Sequence, residues 1–320
     1  MKIAAILPHL SKFGGVRRFL EIGNAMIEKG HEYTIFARRD RSCRWFDYRG
    51  EIRGWKNIQA DRILIGDPPC FEILPYVKGR IYVYVIAAGK YTPMYQEVYG
   101  KYPFILNNRK FKKDFPHSSL AEGGVNLHHF KPKSESNTSS DVRVLYIPGR
   151  KRQKGGSTII HALRGIKGVT LVPLGGLGEE ALAKAYRSGD FYVSWEGPGG
   201  WCNMAAEALA SGLTVVTNGA NCEPFIKRTI VVRDLRGFFS NPKNRQIRKS
   251  CSMKDFSWEA VSDKLLEIFA KSYSSARVHR AHARPAQAYP AQAPSAYVRP
   301  AHVHQPHVHK SHVDHHHHRR

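Results

Sequence analysis

Short apolar runs alternate with amphipathic stretches in the first part of the chain. Lys2 to Leu7 is an apolar run that predicts a buried strand, and Val16 to Lys29 repeats apolar residues at roughly helical spacing. Gly30 follows, where helices commonly end on a glycine. Tyr33 to Ala37 then predicts a second strand and completes a strand-helix-strand unit. Further strands are predicted at Ile63 to Ile65, Ile81 to Ile86 and Phe104 to Leu106.

The same alternation returns after a break in composition, since Lys131 to Ser140 contains no apolar residue and is typical of a linker. The predicted strands beyond it are Val142 to Ile147, Val169 to Leu174, Phe191 to Ser194 and Thr214 to Thr217. The predicted helices are Ser157 to Leu163, Glu179 to Arg187 and Met204 to Ala210. Strands that alternate with helices in this way predict an α/β protein with two parallel sheets.

The pattern predicts four segments. We expect a first Rossmann-like domain at residues 1–133, a second at 134–255, a closing C-terminal helix at 256–271 and a disordered tail at 272–320. The tail is rich in Ala, Pro and His, with too few large apolar residues to fold. Eleven of the seventeen histidines lie there, so metal binding by the tail is an alternative to a tail without a role.

Charge and cysteine content narrow the function classes. The formal net charge is +24, which favours an anionic partner: a nucleotide sugar, an anionic lipid or a nucleic acid. The five cysteines are widely spaced with no CxxC pair, as expected of reduced thiols in a cytoplasmic protein without a structural zinc site. No apolar stretch approaches eighteen residues, so we expect no membrane span.

Two loops carry candidate chemistry. Residues 149–156 (GRKRQKGG) follow a predicted strand and open a helix, where free backbone N–H groups and adjacent cations suit a diphosphate. Residues 195–207 (WEGPGGWCNMAAE) follow the strand that ends at Ser194, and carboxylates there can accept hydrogen bonds from sugar hydroxyls. The alternative for the first loop is a solvated basic loop. The alternative for the second is a glutamate that is favoured near the start of a helix by the helix dipole alone.

These loops, with the Gly14-Gly15 turn and residues 124–132 (GVNLHHFKP), resemble the retaining nucleotide-sugar glycosyltransferases of the GT-B fold, family four. The resemblance covers roughly Lys2 to Ala270. It implies two Rossmann-like domains that face each other across a cleft, with the acceptor on the first and the donor on the second. The implied enzyme is a hexosyltransferase-type glycosyltransferase that needs no metal or other cofactor. Its implied partners are a nucleotide sugar and an acceptor that is a sugar, a lipid-linked sugar or another molecule.

The resemblance also implies roles for individual residues. Arg150 and Lys154 would hold the donor diphosphate and act in catalysis, and Glu207 would contact the ribose. The partner glutamate expected eight positions earlier is replaced by Gly199, so Glu196 is the candidate, provided that the loop bulges by three residues. The donor-binding set is Gly14, Gly15, Arg150, Lys154, Gly200 and Glu207, and the catalytic set is Glu196, Arg150 and Lys154.

Several alternatives stay open at this point. An epimerase or phosphorylase on the same fold would also need a phosphate cradle, and a non-catalytic relative is suggested by Gly199 and by the missing first-domain histidine of the family. A nucleic-acid-binding protein is not expected, because no motif interleaves aromatics with the cations. Basic residues of the first domain, among them Arg17 and Arg18, could meet an anionic membrane surface, whereas a solvated face is the simpler interpretation. His9 has either a structural or a catalytic role.

Overall fold

The computed structural model describes residues 1–40, 42–132, 141–148, 155–197, 199–249 and 251–271. The remaining linker residues, the cations of the basic loop and the whole His-rich tail lie outside the described residues. Two of the predicted site residues, Arg150 and Lys154, fall in that part of the chain.

Residues 1–132, called the first half of the chain below, form a seven-stranded sheet in which every pairing is parallel. Its strands are β1 (Lys2–Leu7), β2 (Glu32–Ala37), β3 (Glu51–Arg53), β4 (Gln59–Ile65), β5 (Lys78–Val85), β6 (Phe104–Leu106) and β7 (Ser119–Leu120). Its helices are α1 (Gly14–Glu28) and α2 (Thr92–Val98), with 3₁₀ turns at Pro68–Tyr76, Gly89–Tyr91 and Arg109–Lys113. The spatial order β3-β2-β1-β4-β5-β6-β7 reverses between β1 and β4, as in doubly wound sheets.

The described part of residues 141–271, called the second half of the chain below, forms a five-stranded parallel sheet. Its strands are β8 (Val142–Tyr146), β9 (Val169–Pro173), β10 (Phe191–Ser194), β11 (Thr214–Thr217) and β12 (Ile230–Val231). Its helices are α3 (Gly156–Leu163), α4 (Glu179–Arg187), α5 (Asn203–Ala210), α6 (Leu235–Ser240) and α7 (Pro242–Arg245), with 3₁₀ turns at Glu223–Arg228 and Lys254–Phe256. The order β9-β8-β10-β11-β12 reverses between β8 and β10.

The elements predicted from hydrophobic periodicity are confirmed within one to four residues at their ends. Gly30 ends α1 as predicted: its φ of 79° lies in the left-handed region, and its N–H bonds to the Ile27 carbonyl at 2.9 Å. The pattern missed the short strands β3, β7 and β12 and the helices α2, α6 and α7. Two or three residues of strand are too few for a period to be read.

The last helix, α8 (Trp258–Ala270), returns to the first half of the chain. Its apolar face, which includes Leu265 and Phe269, belongs to the same buried cluster as Phe19 and Leu20 of α1. The Phe269 ring lies 4.8 Å from the Tyr82 ring between centroids. Burial of this face therefore fastens the end of the second half to the core of the first.

We expect Leu265→Ala to lower the free energy of unfolding by about 2 to 5 kcal/mol, because Leu265 is fully buried and its truncation leaves a cavity. Glu267→Ala, on the exposed side of the same helix, is the matched control and should change stability by less than about 0.5 kcal/mol. Chemical denaturation of both variants measures the difference. Equal losses would show that α8 does not depend on this buried face.

Candidate functional site

The crevice of the second sheet lies where its strand order reverses. Open α/β sheets bind ligands at such a point, outside the carboxyl ends of the two diverging strands. The loop that contains residues 149–154 follows β8, and Trp195-Glu196 follows β10. Gly155, the first described residue after the basic residues, comes close to the second segment, since a side chain at Gly155 would collide with the Trp195 carbonyl oxygen. Gly155 also has a φ of 63° and is the residue that precedes α3.

Glu196 is buried directly beyond β10, with 8% of its surface exposed. Its carboxylate Oε2 accepts a hydrogen bond from Nδ2 of Asn221 at 3.0 Å. Its main-chain carbonyl accepts one from Nδ2 of Asn218 at 2.9 Å. Gly199 turns back toward the same region, where its N–H donates to Oδ1 of Asn221 at 2.7 Å. Both ends of this turn are thus held by the loop after β11.

Glu207 is the second predicted carboxylate, and helix α5 buries it to 4% exposure. One oxygen, Oε1, lies 3.4 Å from a guanidinium nitrogen of Arg17, which comes from α1 in the first half of the chain. The other oxygen accepts a hydrogen bond from the Tyr186 hydroxyl at 3.4 Å. The residue expected to contact ribose therefore joins the two halves through an ion pair.

Arg17 is surrounded by three carboxylates. Besides Glu207, its guanidinium pairs with Glu21 at 3.1 Å on the next turn of α1 and with Glu179 at the start of α4. Burial raises the pKa of Glu207 to about 7, although Arg17 opposes that shift and Glu179 adds to it. Burial also raises the pKa of Glu21 to about 7, against the effect of Arg17. One cation cannot balance three carboxylates, of which Glu21 and Glu207 are buried, so the cluster favours protonation.

Two of the three predicted glycines, Gly14 and Gly200, pack against the other half of the chain, and Gly15 packs against Ile86 of its own half. A Cβ on Gly14 would stand 3.0 Å from Nδ2 of Asn203 in α5, and one on Gly15 would stand 2.7 Å from a methyl carbon of Ile86. Gly200 packs against the main chain of Ile86 so closely that a side chain would strike its carbonyl oxygen. The structure therefore brings the glycine turns of the two sheets together.

The halves also meet at a second set of contacts, which was not predicted from the sequence. Asn108, directly after β6, donates from Nδ2 to the Gly200 carbonyl and to Glu223, each at 2.9 Å. Lys110 donates from Nζ to Oδ1 of Asn221 at 2.9 Å and lies 3.5 Å from Glu223. Polar residues placed immediately beyond a short apolar strand were the available signal, because parallel strands bring such positions to one edge.

The membrane interpretation of the basic residues is wrong for two of them. Arg17 lies in the carboxylate cluster, with 21% of its side chain exposed. Arg18 is only 3% exposed, donates to the Tyr84 hydroxyl at 3.0 Å and stacks 5.2 Å from the Trp258 ring centre. Arg18 is thus a buried residue of α1, and Arg17 is half-buried. In the described ranges no helix is both long and apolar enough to span a bilayer.

His9 lies in the turn after β1. Its Nδ1 accepts a hydrogen bond from the Ser11 N–H at 3.3 Å, and its ring lies 5.5 Å from that of Phe13. Asp67, after the neighbouring strand β4, has its pKa raised by burial and lowered in part by His9. These contacts put His9 at the switch point of the first sheet, with both of its interpretations still open.

The carboxylate cluster predicts how stability changes with pH. The pKa values of Glu21 and Glu207 rise from 4.5 to about 7 on folding, so the folded state binds protons more tightly. The stability that these two raised pKa values contribute to the folded state is fully present below about pH 4.5 and is lost as the pH rises through about 7. We expect Glu207→Gln to remove part of the fall in unfolding free energy between about pH 5 and 8, by up to about 3 kcal/mol.

Urea denaturation at each pH measures this difference. Glu180→Gln, an exposed carboxyl beside Glu179, is the control and should follow the wild-type curve. Superimposable pH profiles for wild type and Glu207→Gln would contradict a shifted carboxyl at this position.

Comparison with solved structures shows the fold to be widespread. HepE from Anabaena, in complex with UDP and glucose, superposes with a TM-score of 0.67 over 85% of this chain and 100% of that one, at 9% identity. Sucrose-phosphate synthase from Thermosynechococcus elongatus has a TM-score of 0.64, with 83% and 98% covered, at 14% identity. A glycosyltransferase from Rickettsia africae has a TM-score of 0.64, with 83% and 97% covered, at 12% identity.

No protein-family model matches the sequence, and no curated protein matches it significantly. At such low identities the structural likeness describes the fold alone. The two parallel sheets and their structural neighbours show that the chain has the GT-B fold predicted from its motifs.

Proposed function

We propose that this protein is a retaining glycosyltransferase that moves a hexose from a nucleotide diphosphate sugar to an acceptor hydroxyl. The observation that carries the proposal is the meeting of two loops at the switch point of the second sheet. The end of the basic loop, at Gly155, touches Trp195, next to the buried Glu196 carboxylate. Arg150 and Lys154, which precede Gly155 in the sequence, would add cations near this carboxylate, and such a combination suits a ligand that has both a diphosphate and hydroxyl groups.

The reaction requires residues that stabilise the leaving diphosphate. The bond between the anomeric carbon and the diphosphate oxygen breaks, the acceptor hydroxyl oxygen bonds to that carbon on the same face, and the hydroxyl proton leaves with the diphosphate. Arg150, Lys154 and the N-terminus of α3 would stabilise the negative charge that develops on the diphosphate. In this proposal these groups do what a divalent cation does elsewhere, so no metal or other cofactor is required.

The two carboxylates take separate roles. Glu207, one of the buried residues of α5, would accept hydrogen bonds from the ribose hydroxyls. Glu196, two residues beyond β10, would face the sugar. It would take the role of the glutamate expected at the position that Gly199 occupies. Gly14, Gly15 and Gly200 would let the main chain of both halves approach the donor, since Gly14 and Gly200 lie where the halves touch and Gly15 packs against Ile86, which Gly200 also meets.

The donor base and the acceptor belong to the same proposal. The HepE structure contains UDP and glucose, which makes a uridine diphosphate sugar the first donor to test. The acceptor, a sugar or a lipid-linked sugar, would bind the first half at the carboxyl edge of its sheet, near His9. A cytoplasmic enzyme that meets an anionic membrane would reach lipid-linked acceptors, and Arg38, Arg39 and Arg44 would serve such a contact.

A panel of nucleosides, nucleoside diphosphates and nucleotide sugars tests donor binding by thermal shift, because a ligand of the folded state raises its melting temperature. We expect Lys154→Ala to weaken binding of the nucleoside diphosphate about tenfold or more, since charge-assisted hydrogen bonds contribute about 1.5 to 3 kcal/mol. Binding of the nucleoside alone should hardly change.

Lys167→Ala removes the same charge from an exposed position in the same half of the chain and serves as the control. Equal losses for nucleoside and nucleoside diphosphate in Lys154→Ala would contradict a diphosphate site.

The two carboxylates should separate in kinetics. We expect Glu207→Gln to raise the dissociation constant of the donor about tenfold while kcat changes less, because the ribose contact is present before and during reaction. Glu196→Gln should lower kcat about tenfold or more with a smaller effect on donor binding. Initial rates and donor titrations of both variants give these values.

The products are identified together with the rates. A wild-type chain that binds donor but neither transfers nor hydrolyses its sugar would favour a non-catalytic relative, and release of an epimerised nucleotide sugar would favour an epimerase. If Glu196→Gln leaves kcat unchanged, the donor sugar does not depend on this carboxylate.

A further inference from the structure

Asn221 has an unusual backbone and a buried side chain. Its φ of 63° lies in the left-handed region, which among the described residues is shared by just one other non-glycine residue, Asn57. Asn221 is 3% exposed in the loop after β11. Asparagine tolerates this conformation better than most residues, yet glycine would adopt it without strain. The side chain is therefore the feature that calls for a reason.

The amide of Asn221 makes four hydrogen bonds. Oδ1 accepts from the Gly199 N–H at 2.7 Å and from Nζ of Lys110 at 2.9 Å. Nδ2 donates to Oε2 of Glu196 and to the Gly197 carbonyl, each at 3.0 Å. The partners of Oδ1 can only donate and those of Nδ2 can only accept, so the network allows one orientation of the amide.

Lys110 brings the first half of the chain into this network. It follows β6, and its ammonium group lies between Asn221 and the Glu223 carboxylate. A hydrogen bond from a cation to Oδ1 polarises the amide, and a polarised amide donates more strongly from Nδ2. Lys110 is thus connected to the Glu196 carboxylate through one intervening amide.

We propose that Asn221 is a positioning residue that holds the Glu196 carboxylate for turnover and links its placement to contact with Lys110 from the first half. This assignment rests on the proposed glycosyltransferase function, because its role is exerted through Glu196. Asn221 itself touches no reacting atom. Its side chain sets the direction of the Glu196 carboxylate, which does.

Two substitutions separate this role from simple support of the loop. Asn221→Asp keeps the oxygen that accepts from Gly199 and Lys110 but turns an acceptor toward Glu196 in place of a donor. Asn221→Gly keeps the left-handed backbone and removes all four bonds. Asn57→Gly makes the same change at the other left-handed asparagine and is the matched control.

The kinetic readout is the split between kcat and donor affinity in a double-mutant cycle with Glu196→Gln. We expect Asn221→Asp and Asn221→Gly each to lower kcat about tenfold or more, with less than about a threefold change in donor dissociation constant. In the Glu196→Gln background the same substitutions should lower kcat by less than about twofold, because residues that act as a unit are not additive. Asn57→Gly should leave both constants unchanged.

Hydrogen exchange at the Gly199 amide reads the loop itself. Asn221→Asp should keep this amide protected while kcat falls, whereas Asn221→Gly should expose it. Loss of protection in Asn221→Asp, or full additivity with Glu196→Gln, would overturn the assignment and leave Asn221 a structural residue. Lys110→Met should lower kcat in the wild-type background and have little further effect beside Asn221→Gly.

The two proposals fail in different ways. A wild-type chain without turnover of any nucleotide sugar overturns the glycosyltransferase function, and with it the role of Asn221 in turnover. A wild-type chain that turns over, with an Asn221→Asp variant that keeps its kcat, overturns the Asn221 assignment alone.

Discussion

Reversal of strand order between β1 and β4 in one sheet, and between β8 and β10 in the other, opens a crevice at the carboxyl edge of each sheet. Connections leave to opposite faces on the two sides of such a point, so the loops beyond it diverge and leave space. The chain's glycine-rich turns and its buried carboxylates follow the strands that border these crevices. The strand order of the two sheets therefore determines where these glycines and carboxylates lie.

Charge at the contact between the halves is arranged around Arg17. Three carboxylates share one guanidinium, and burial makes two of them titrate near neutrality. In a cluster of this kind the stability of the contact between the halves depends on protonation, because removing a proton adds an uncompensated negative charge. If a ribose bonds to Glu207, it competes with Arg17 for the same carboxylate, so donor binding and the contact between the halves share one group.

A second link between the halves combines two buried amides, Asn108 and Asn221, with the ion pair between Lys110 and Glu223. Asn108 and Lys110 reach from the end of β6 to Gly200, Asn221 and Glu223. Buried amides of this kind have fixed partners and a fixed orientation, and they specify geometry more than they add stability. The Arg17 cluster contains the two carboxylates whose pKa values burial raises, whereas the Asn221 amide donates a hydrogen bond to the Glu196 carboxylate at 3.0 Å.

The sequence by itself determined the two sheets, most strand positions, the end of α1 at Gly30 and the glycine and glutamate loops, because periodicity and turn chemistry are local. It could not reveal Arg17, Lys110 or Asn221 as partners of the site. Arg17 and Glu207 are separated by 190 positions, and Lys110 and Asn221 by 111. On the chain, Arg17 was one of many cations and Asn221 one polar residue in a loop. Only the tertiary structure decided which of them meet a buried carboxylate, because that depends on how the two sheets pack and not on any local pattern.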